Sequence, residues 1–285
     1  MASNRIGSQT RRRQGAWNLS ALVYRWSTTT VADQADDDLL SYLGDRLTGS
    51  VIVDCGCGPG LLAAKLVSRG AALVIAVDAN RAMARQARRR LAREVSAGQV
   101  CVVCDFVDAP FFDALGRALD IVVFKRSLYA PEAEAADTLR AAVRAVGESG
   151  VVVVVHPERS LRRYAWGVPP TWRSHTMFHL FNRLVSWLAV ALRISAYRTY
   201  TAHELESLLR SAAGGETVER VPTVQKAYNI VAIRVSPPAQ GLSKRTRPAG
   251  TRSTSHAEFN SRCSTRGPRQ PAPHERDVPQ QSGAA

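Results

Sequence analysis

The chain has 285 residues, 45% of them hydrophobic, enough to bury a substantial core in one large domain or two small ones. Its formal charge of +14 is concentrated at the ends: residues 1–16 carry +4 and residues 237–285 carry +5, which leaves +5 for the body. Only four of the 38 basic residues are Lys and no aromatic-interleaved basic stripe runs through the body, so no nucleic-acid partner is expected.

Residues 1–16 are polar, basic and without periodicity, and read as a flexible tail. Helical spacing follows over 17–26 and 31–47, with Tyr24 and Trp26 of WNLSALVYRW placed to act as lid residues. The body then alternates. Short apolar strands at Val51–Asp54, Ala72–Val77, Val100–Cys104, Ile121–Phe124 and Gly150–Val155 are separated by helices over 60–69, 80–96, 109–117 and 132–146. Near-continuous apolar strands alternating with helices predict a parallel sheet covered on both faces. Thr201-Ala-His-Glu204 is a capping box opening a helix over 202–212. Strand-like runs at 216–222 and 227–235 are close enough in sequence to pair antiparallel on one edge. From residue 237 onward Pro, Ser, Gly and Arg dominate, a composition that cannot offset its ordering entropy. The expected organisation is therefore a tail at 1–16, one α/β domain at 17–236 and a disordered tail at 237–285.

The stretch VIVDCGCGPG, residues 51–60, is open to three readings: a nucleotide loop, a metal site or a tight turn. The metal reading needs a second cysteine pair. Cys101 and Cys104 stand three apart on a strand and point to opposite faces, so zinc is not expected. Five cysteines and a basic start with no apolar stretch behind it lead to the expectation of a reducing cytoplasm. As a nucleotide loop, Gly56, Gly58 and Gly60 let the backbone approach a ligand at a helix N-terminus. Asp78 closes the second strand about twenty residues on, where an acid binds ribose hydroxyls. Asp105 closes the third beside Phe106, a pairing suited to the amino group and face of an adenine.

With VIVDCGCGPG, the acid of AVDAN, the segment VDANRAMARQAR, CDFVDAPF and ALDIVVFKRSLYAP, the sequence resembles the class I S-adenosylmethionine-dependent methyltransferases of small-molecule type. The resemblance runs from about residue 17 to 235. It implies a doubly wound, mostly parallel seven-stranded sheet with an antiparallel C-terminal edge hairpin, and S-adenosyl-L-methionine as cofactor. Carried over position by position, it gives Asp54 and the backbone of Cys55, Gly56 and Gly58 to the methionine portion. Asp78, with the small Ala79 beside it, falls at the ribose; Met83 and Phe106 at the adenine faces; Asp105 at the adenine amino group. Lys125 lines the methionine end. Cys55 and Cys57 depart from the bulky or acidic residues of many members and are read as packing.

The segment between the fifth strand and the edge pair, about 157–200, is too long for a simple connection and is read as a substrate lid. Its Tyr164, Trp166, Trp172, Phe178, Phe181 and Trp187 suit a planar or lipophilic acceptor. Phe178, Phe181, Val185, Leu188 and Leu192 recur at helical spacing, but the run between Arg183 and Arg193 is too short to span a membrane. Core packing, a pocket wall, or shallow contact of 178–193 with a membrane surface or partner all remain open for it. Tyr129 after the fourth strand and His156 after the fifth are the candidates to orient or deprotonate an acceptor hydroxyl, His175 and His179 being weaker. The expected activity is methylation of a small metabolite, with O-methylation favoured. A nicotinamide-dependent oxidoreductase is the competing reading, since Gly58-Pro-Gly60-Leu-Leu-Ala63 fits a loose GxGxxA; a cofactor-binding protein without turnover is a third.

Overall fold

Short runs of β-branched residues build the centre of the molecule. The computed structural model describes residues 33–116, 119–128, 132–157, 200–224 and 228–236. The expected helix at 17–26, the tails at 1–16 and 237–285, Tyr129, and residues 158–199 of the lid segment, with the 178–193 stripe, lie outside the described residues.

Strand β1 (Val51–Cys55) pairs in parallel with β2 (Leu73–Val77) on one side and with β4 (Leu119–Lys125) on the other. Strand β3 (Val100–Val103) extends the sheet beyond β2, and β5 (Val146–Pro157) extends it beyond β4, again in parallel. The chain then reverses: β7 (Tyr228–Arg234) lies antiparallel between β5 and the edge strand β6 (Thr217–Val221). The order is β3-β2-β1-β4-β5-β7-β6. Every residue of β2 is buried, as a sheet covered on both faces requires.

One face is covered by α1 (Asp33–Leu43) with a 3₁₀ turn at Gly44–Leu47, α2 (Leu61–Ser68) and α3 (Arg81–Arg90). Leu39, Leu40, Leu43 and Leu47 recur at helical spacing and are buried with Ile52, Val74, Ile121, Val123 and Val153 in one cluster. After α4 (Ala92–Ser96) and α5 (Ala109–Leu115), α6 (Glu132–Ala145) packs between α5 and α7 (Ala202–Ala213), and α7 rests on β6 and β7. The capping box at Thr201 forms as expected: its hydroxyl accepts the Glu204 N–H at 3.2 Å, and the Glu204 carboxylate accepts the Thr201 N–H at 2.7 Å.

Two elements differ from the sequence expectation. The helix expected over 80–96 breaks at Leu91, whose backbone turns to φ −100° and ψ 26°. That turn accompanies the burial of Leu91 beside Gly60, where a Cβ on the glycine would come within 2.8 Å of Leu91 Cδ1. Strand five begins at Val146 rather than Gly150. Its first residues pair with β4 through an irregularity between Leu119 and Ile121, and Ser149 takes a left-handed φ of 66°. A local bulge is invisible to a reading based on apolar runs.

Candidate active site

The site forms where the central strands end. Asp54 lies in β1 opposite Val123 of β4, and residues two apart on a strand share a face. Lys125 therefore points to the same side of the sheet as Asp54. Beyond Cys55 the chain turns through three left-handed glycines, Gly56 (φ 71°), Gly58 (55°) and Gly60 (81°), into α2. Gly56 has a second reason to lack a side chain: an added Cβ would stand 2.4 Å from the Cβ of Ser127. Ser127 reaches that position because Arg126, immediately after β4, takes a left-handed φ of 54°.

Asp78 ties the glycine loop to the next strand. One carboxylate oxygen accepts the Gly58 N–H and the other the Asn80 N–H, both at 2.8 Å. Gly56 and Cys57 donate their N–H groups to the Val77 carbonyl at 2.8 and 2.9 Å. Asn80 caps α3, accepting from Ala82 and Met83, so Met83 is held in the first helical turn with its side chain buried. Ala79 lies between Asp78 and this cap. Asp105 and Phe106 follow β3 and are half-buried, and the Asp105 carboxylate accepts the Phe106 N–H at 2.9 Å. Asp54, Asp78 and Asp105 thus lie at the same ends of three adjacent strands, β1, β2 and β3.

The electrostatics separate these acids. Asp54 is 1% exposed, and its Oδ2 has no hydrogen-bond partner among the described residues. Burial pushes its carboxyl up to about 7, with Lys125 opposing the rise and Asp36 and Asp78 adding to it. Burial also raises Asp78, while the N–H groups of Asn80 and Gly58 pull it back. The thiols of Cys55 and Cys57 are buried and pushed well above their ordinary value, first by desolvation and then by the neighbouring acids. They are neutral packing groups, as read from the sequence. Cys55, Cys57 and Cys104 are free.

Lys125 does not end in an open site. Its ammonium binds the carboxylate of Asp36 from α1, which is fully buried, and Lys65 of α2 sits 3.2 Å from the other Asp36 oxygen. Desolvation lowers Lys125 from its ordinary value, and Asp36 counters most strongly. Asp36 escaped the sequence reading, although a signal was present: it shares the buried stripe of α1 with Leu39, Leu40 and Leu43, where an acid is out of place. Ser127 escaped as well. Its Oγ is buried without a partner among the described residues, next to the glycine loop. No pattern in the sequence singled it out.

His156 lies elsewhere. Val155 is opposite Lys125, so His156, one residue on, faces the other side of the sheet. Its ring is fully buried against Tyr200, 5.6 Å between centroids in an edge-to-face arrangement. The structure brings together Asp54, the glycine loop, Asp78, Met83 and Lys125; it does not bring His156 to the Asp54 face.

Residues 52–150 match the family model described as a methyltransferase domain. Among solved structures, the chain is similar to the pyocyanin biosynthetic protein PhzM, at 21% identity over 72% of this chain and 55% of that one, with a TM-score of 0.52. It is similar to the apo form of the S-adenosylmethionine-dependent methyltransferase SibL, at 20% identity over 74% and 56%, with a TM-score of 0.50. A SAM-dependent methyltransferase from Aquifex aeolicus gives 15% identity over 75% of this chain and 96% of that one, with a TM-score of 0.50. The chain thus spans little more than half the length of the first two, and at these identities the likeness speaks for the fold. No curated protein matches by sequence. An all-parallel dinucleotide-binding sheet would run 3-2-1-4-5-6, whereas here an antiparallel β7 is inserted between β5 and β6. Residues 52–150 thus match a methyltransferase domain, and the sheet around them has the fold of the methyltransferase structures to which the chain is similar.

Proposed function

We propose that the chain is an S-adenosylmethionine-dependent methyltransferase acting on a small aromatic or lipophilic acceptor, with an oxygen as the favoured methyl-accepting atom. The observation that carries this reading is the buried Asp54 oxygen with no hydrogen-bond partner among the described residues, beside a glycine loop whose backbone is open to close approach. A buried carboxylate oxygen left without a donor is costly, by about 1–3 kcal/mol. A ligand with a cationic amino group at that point would relieve the cost.

In this assignment Asp54 and the backbone of Cys55, Gly56 and Gly58 hold the methionine portion, and the stem of Lys125 lines its far wall. Asp78 retains acceptor capacity on both oxygens after its two backbone bonds, so it can take ribose hydroxyls next to Ala79. Met83 and Phe106 flank the adenine and Asp105 accepts from its amino group. When bound, the cofactor supplies an electrophilic methyl group on a sulfonium. The chain's own part is alignment of the acceptor and exclusion of water, which convert a bimolecular encounter into an oriented displacement. Tyr129, four residues after β4 in sequence, is kept as the candidate to orient an acceptor hydroxyl. His156, buried on the opposite face, is better suited to shaping the end of β5. The aromatic segment at 157–200 is the proposed acceptor wall; among the described residues no helix is long and apolar enough to cross a membrane.

Calorimetry with S-adenosylmethionine and with NAD tests the cofactor, and radiolabel transfer from S-[methyl-³H]adenosylmethionine into a metabolite extract tests turnover. Binding of the methyl donor with labelling of an extractable small molecule is expected. Binding of NAD alone would establish the oxidoreductase reading in its place, and cofactor binding with no labelled acceptor would favour a protein without turnover.

A further inference from the structure

Asp36 is a fully buried acid on the apolar stripe of α1; Lys125 binds its Oδ1, and its Oδ2, without a hydrogen bond among the described residues, lies 3.2 Å from the Lys65 ammonium. Asp54 is an equally buried acid on the neighbouring strand, and one of its oxygens has no hydrogen-bond partner among the described residues. Lys125 is electrostatically coupled to both acids. It shares a face with Asp54 on the adjacent strand, offset by two residues, a span of about 8 Å between backbones that its four-carbon stem can cover. Two acids therefore compete for one flexible cation, and Asp36 holds it.

Stability gives no reason for this arrangement. A buried ion pair commonly contributes no more than well-packed apolar side chains would, and an apolar residue at 36 would complete the stripe of Ala35, Leu39, Leu40 and Leu43. Its consequence lies at Asp54. Resting on the proposed cofactor, we propose that Asp36 is a positioning residue: it anchors the Lys125 ammonium away from Asp54, so that the free Asp54 oxygen meets the cationic amino-acid end of S-adenosylmethionine rather than a cation of the protein. Removing the Asp36 charge releases Lys125 to its next acid, Asp54, and the internal pair then competes with the ligand for the same carboxylate. Only the amino-acid end of the ligand is affected. The ribose and adenine fall to residues just beyond β2 and β3 and in α3, away from Asp36.

The test compares two ligands by calorimetry: S-adenosylmethionine, which carries the amino-acid portion, and adenosine, which lacks it. Asp36→Asn is expected to weaken S-adenosylmethionine about ten-fold and adenosine less than two-fold, and adding Lys125→Met is expected to recover most of the loss. Equal weakening of both ligands would reveal a merely structural role and overturn the assignment, as would unchanged S-adenosylmethionine binding or the absence of recovery. Should Asp36→Asn not fold, the Asp36→Asn/Lys125→Met variant, which leaves no new unpaired lysine beside Asp54, decides by itself. Met keeps an apolar stem in place of Lys125, so a selective loss of S-adenosylmethionine there would mean that the Lys125 ammonium itself contacts the ligand and would overturn the assignment; an unaltered ratio of the two affinities upholds it. Wild-type protein that binds adenosine but not S-adenosylmethionine removes the cofactor reading and this inference with it, whereas wild-type binding with any of the overturning outcomes removes this inference alone.

Discussion

The two sides of the sheet treat polar groups in opposite ways. On the parallel side, β1, β2 and β3 carry acids at or just beyond their ends: Asp78 and Asp105 are half-buried, while Asp54 is fully buried and retains an oxygen without a hydrogen-bond partner among the described residues. On the antiparallel side, the polar groups binding α1 to β6 and β7 are partly exposed and mutually matched. Tyr42 donates to Glu219 at 2.5 Å, Arg234 donates to the same carboxylate oxygen at 2.5 Å, and the Arg234 guanidinium lies 5.7 Å from the centre of the Tyr42 ring. Matched surface groups are neutral to mildly stabilising. Buried and incompletely matched ones cost stability. A fold carries that cost where a ligand completes the set, so the parallel side is where binding is to be sought.

The contrast breaks most visibly at Asp78. Asp78→Ala removes the proposed ribose acceptor and, with it, the anchors on the Gly58 and Asn80 N–H groups. Affinity for S-adenosylmethionine is expected to fall about a hundred-fold, close to 3 kcal/mol, measured by calorimetry. Unchanged affinity would mean that the glycine loop does not hold the cofactor. Gly56→Ala comes next. The added methyl meets Ser127 and the residue must keep a φ of 71°, so unfolding in urea should show a loss of about 2 kcal/mol together with weaker cofactor binding.

How legible the molecule was follows the same division. The five parallel strands announced themselves as apolar runs, because strands buried on both faces need no alternation. Asp54, Asp78 and Asp105 were readable because acids at strand ends interrupt those runs. Asp36 was legible only as an acid out of place on an apolar helical stripe; its partner Lys125 lies 89 residues away, and no local pattern encodes that pairing. Ser127 was hidden for a similar reason: its place beside Gly56 depends on the left-handed turn at Arg126. His156 was misplaced by projection alone. Standing at a strand end suggested the site, but the one-residue offset from Lys125 turns its ring to the other face.

The buried acid also gives the parallel side a pH signature. With its carboxyl raised to about 7, Asp54 in the folded ligand-free chain keeps a proton that the unfolded chain releases near pH 4. Below about pH 4 both states are protonated and the contribution to stability is complete. As pH rises through 4 to 7 only the folded state holds the proton, so stability falls, by a few kcal/mol at most, and above 7 this group adds no further slope. Asp78, also raised, acts in the same direction. Urea midpoints measured from pH 4.5 to 8 should decline, and Asp54→Asn should flatten much of the decline. A wild-type profile that rises across this window would show that Asp54 is ionised in the ligand-free fold.

The smallest effect belongs to the antiparallel side and sharpens the comparison by its size. Glu219→Gln keeps the shape of the side chain but removes the charge that Arg234 and Tyr42 share. Glu219 and Arg234 are 31% and 42% exposed, so solvent already screens much of their attraction. A stability loss of about 0.5–1 kcal/mol is expected, shrinking further in 1 M salt. Affinity for S-adenosylmethionine should stay within about two-fold of wild type, because Asp36 remains tied to α1's buried stripe and to Lys125 whether or not the outer staple holds. A loss of binding as large as that at Asp36 would mean that α1 transmits strain from the edge to the site, and the division between a binding side and a structural side would fail.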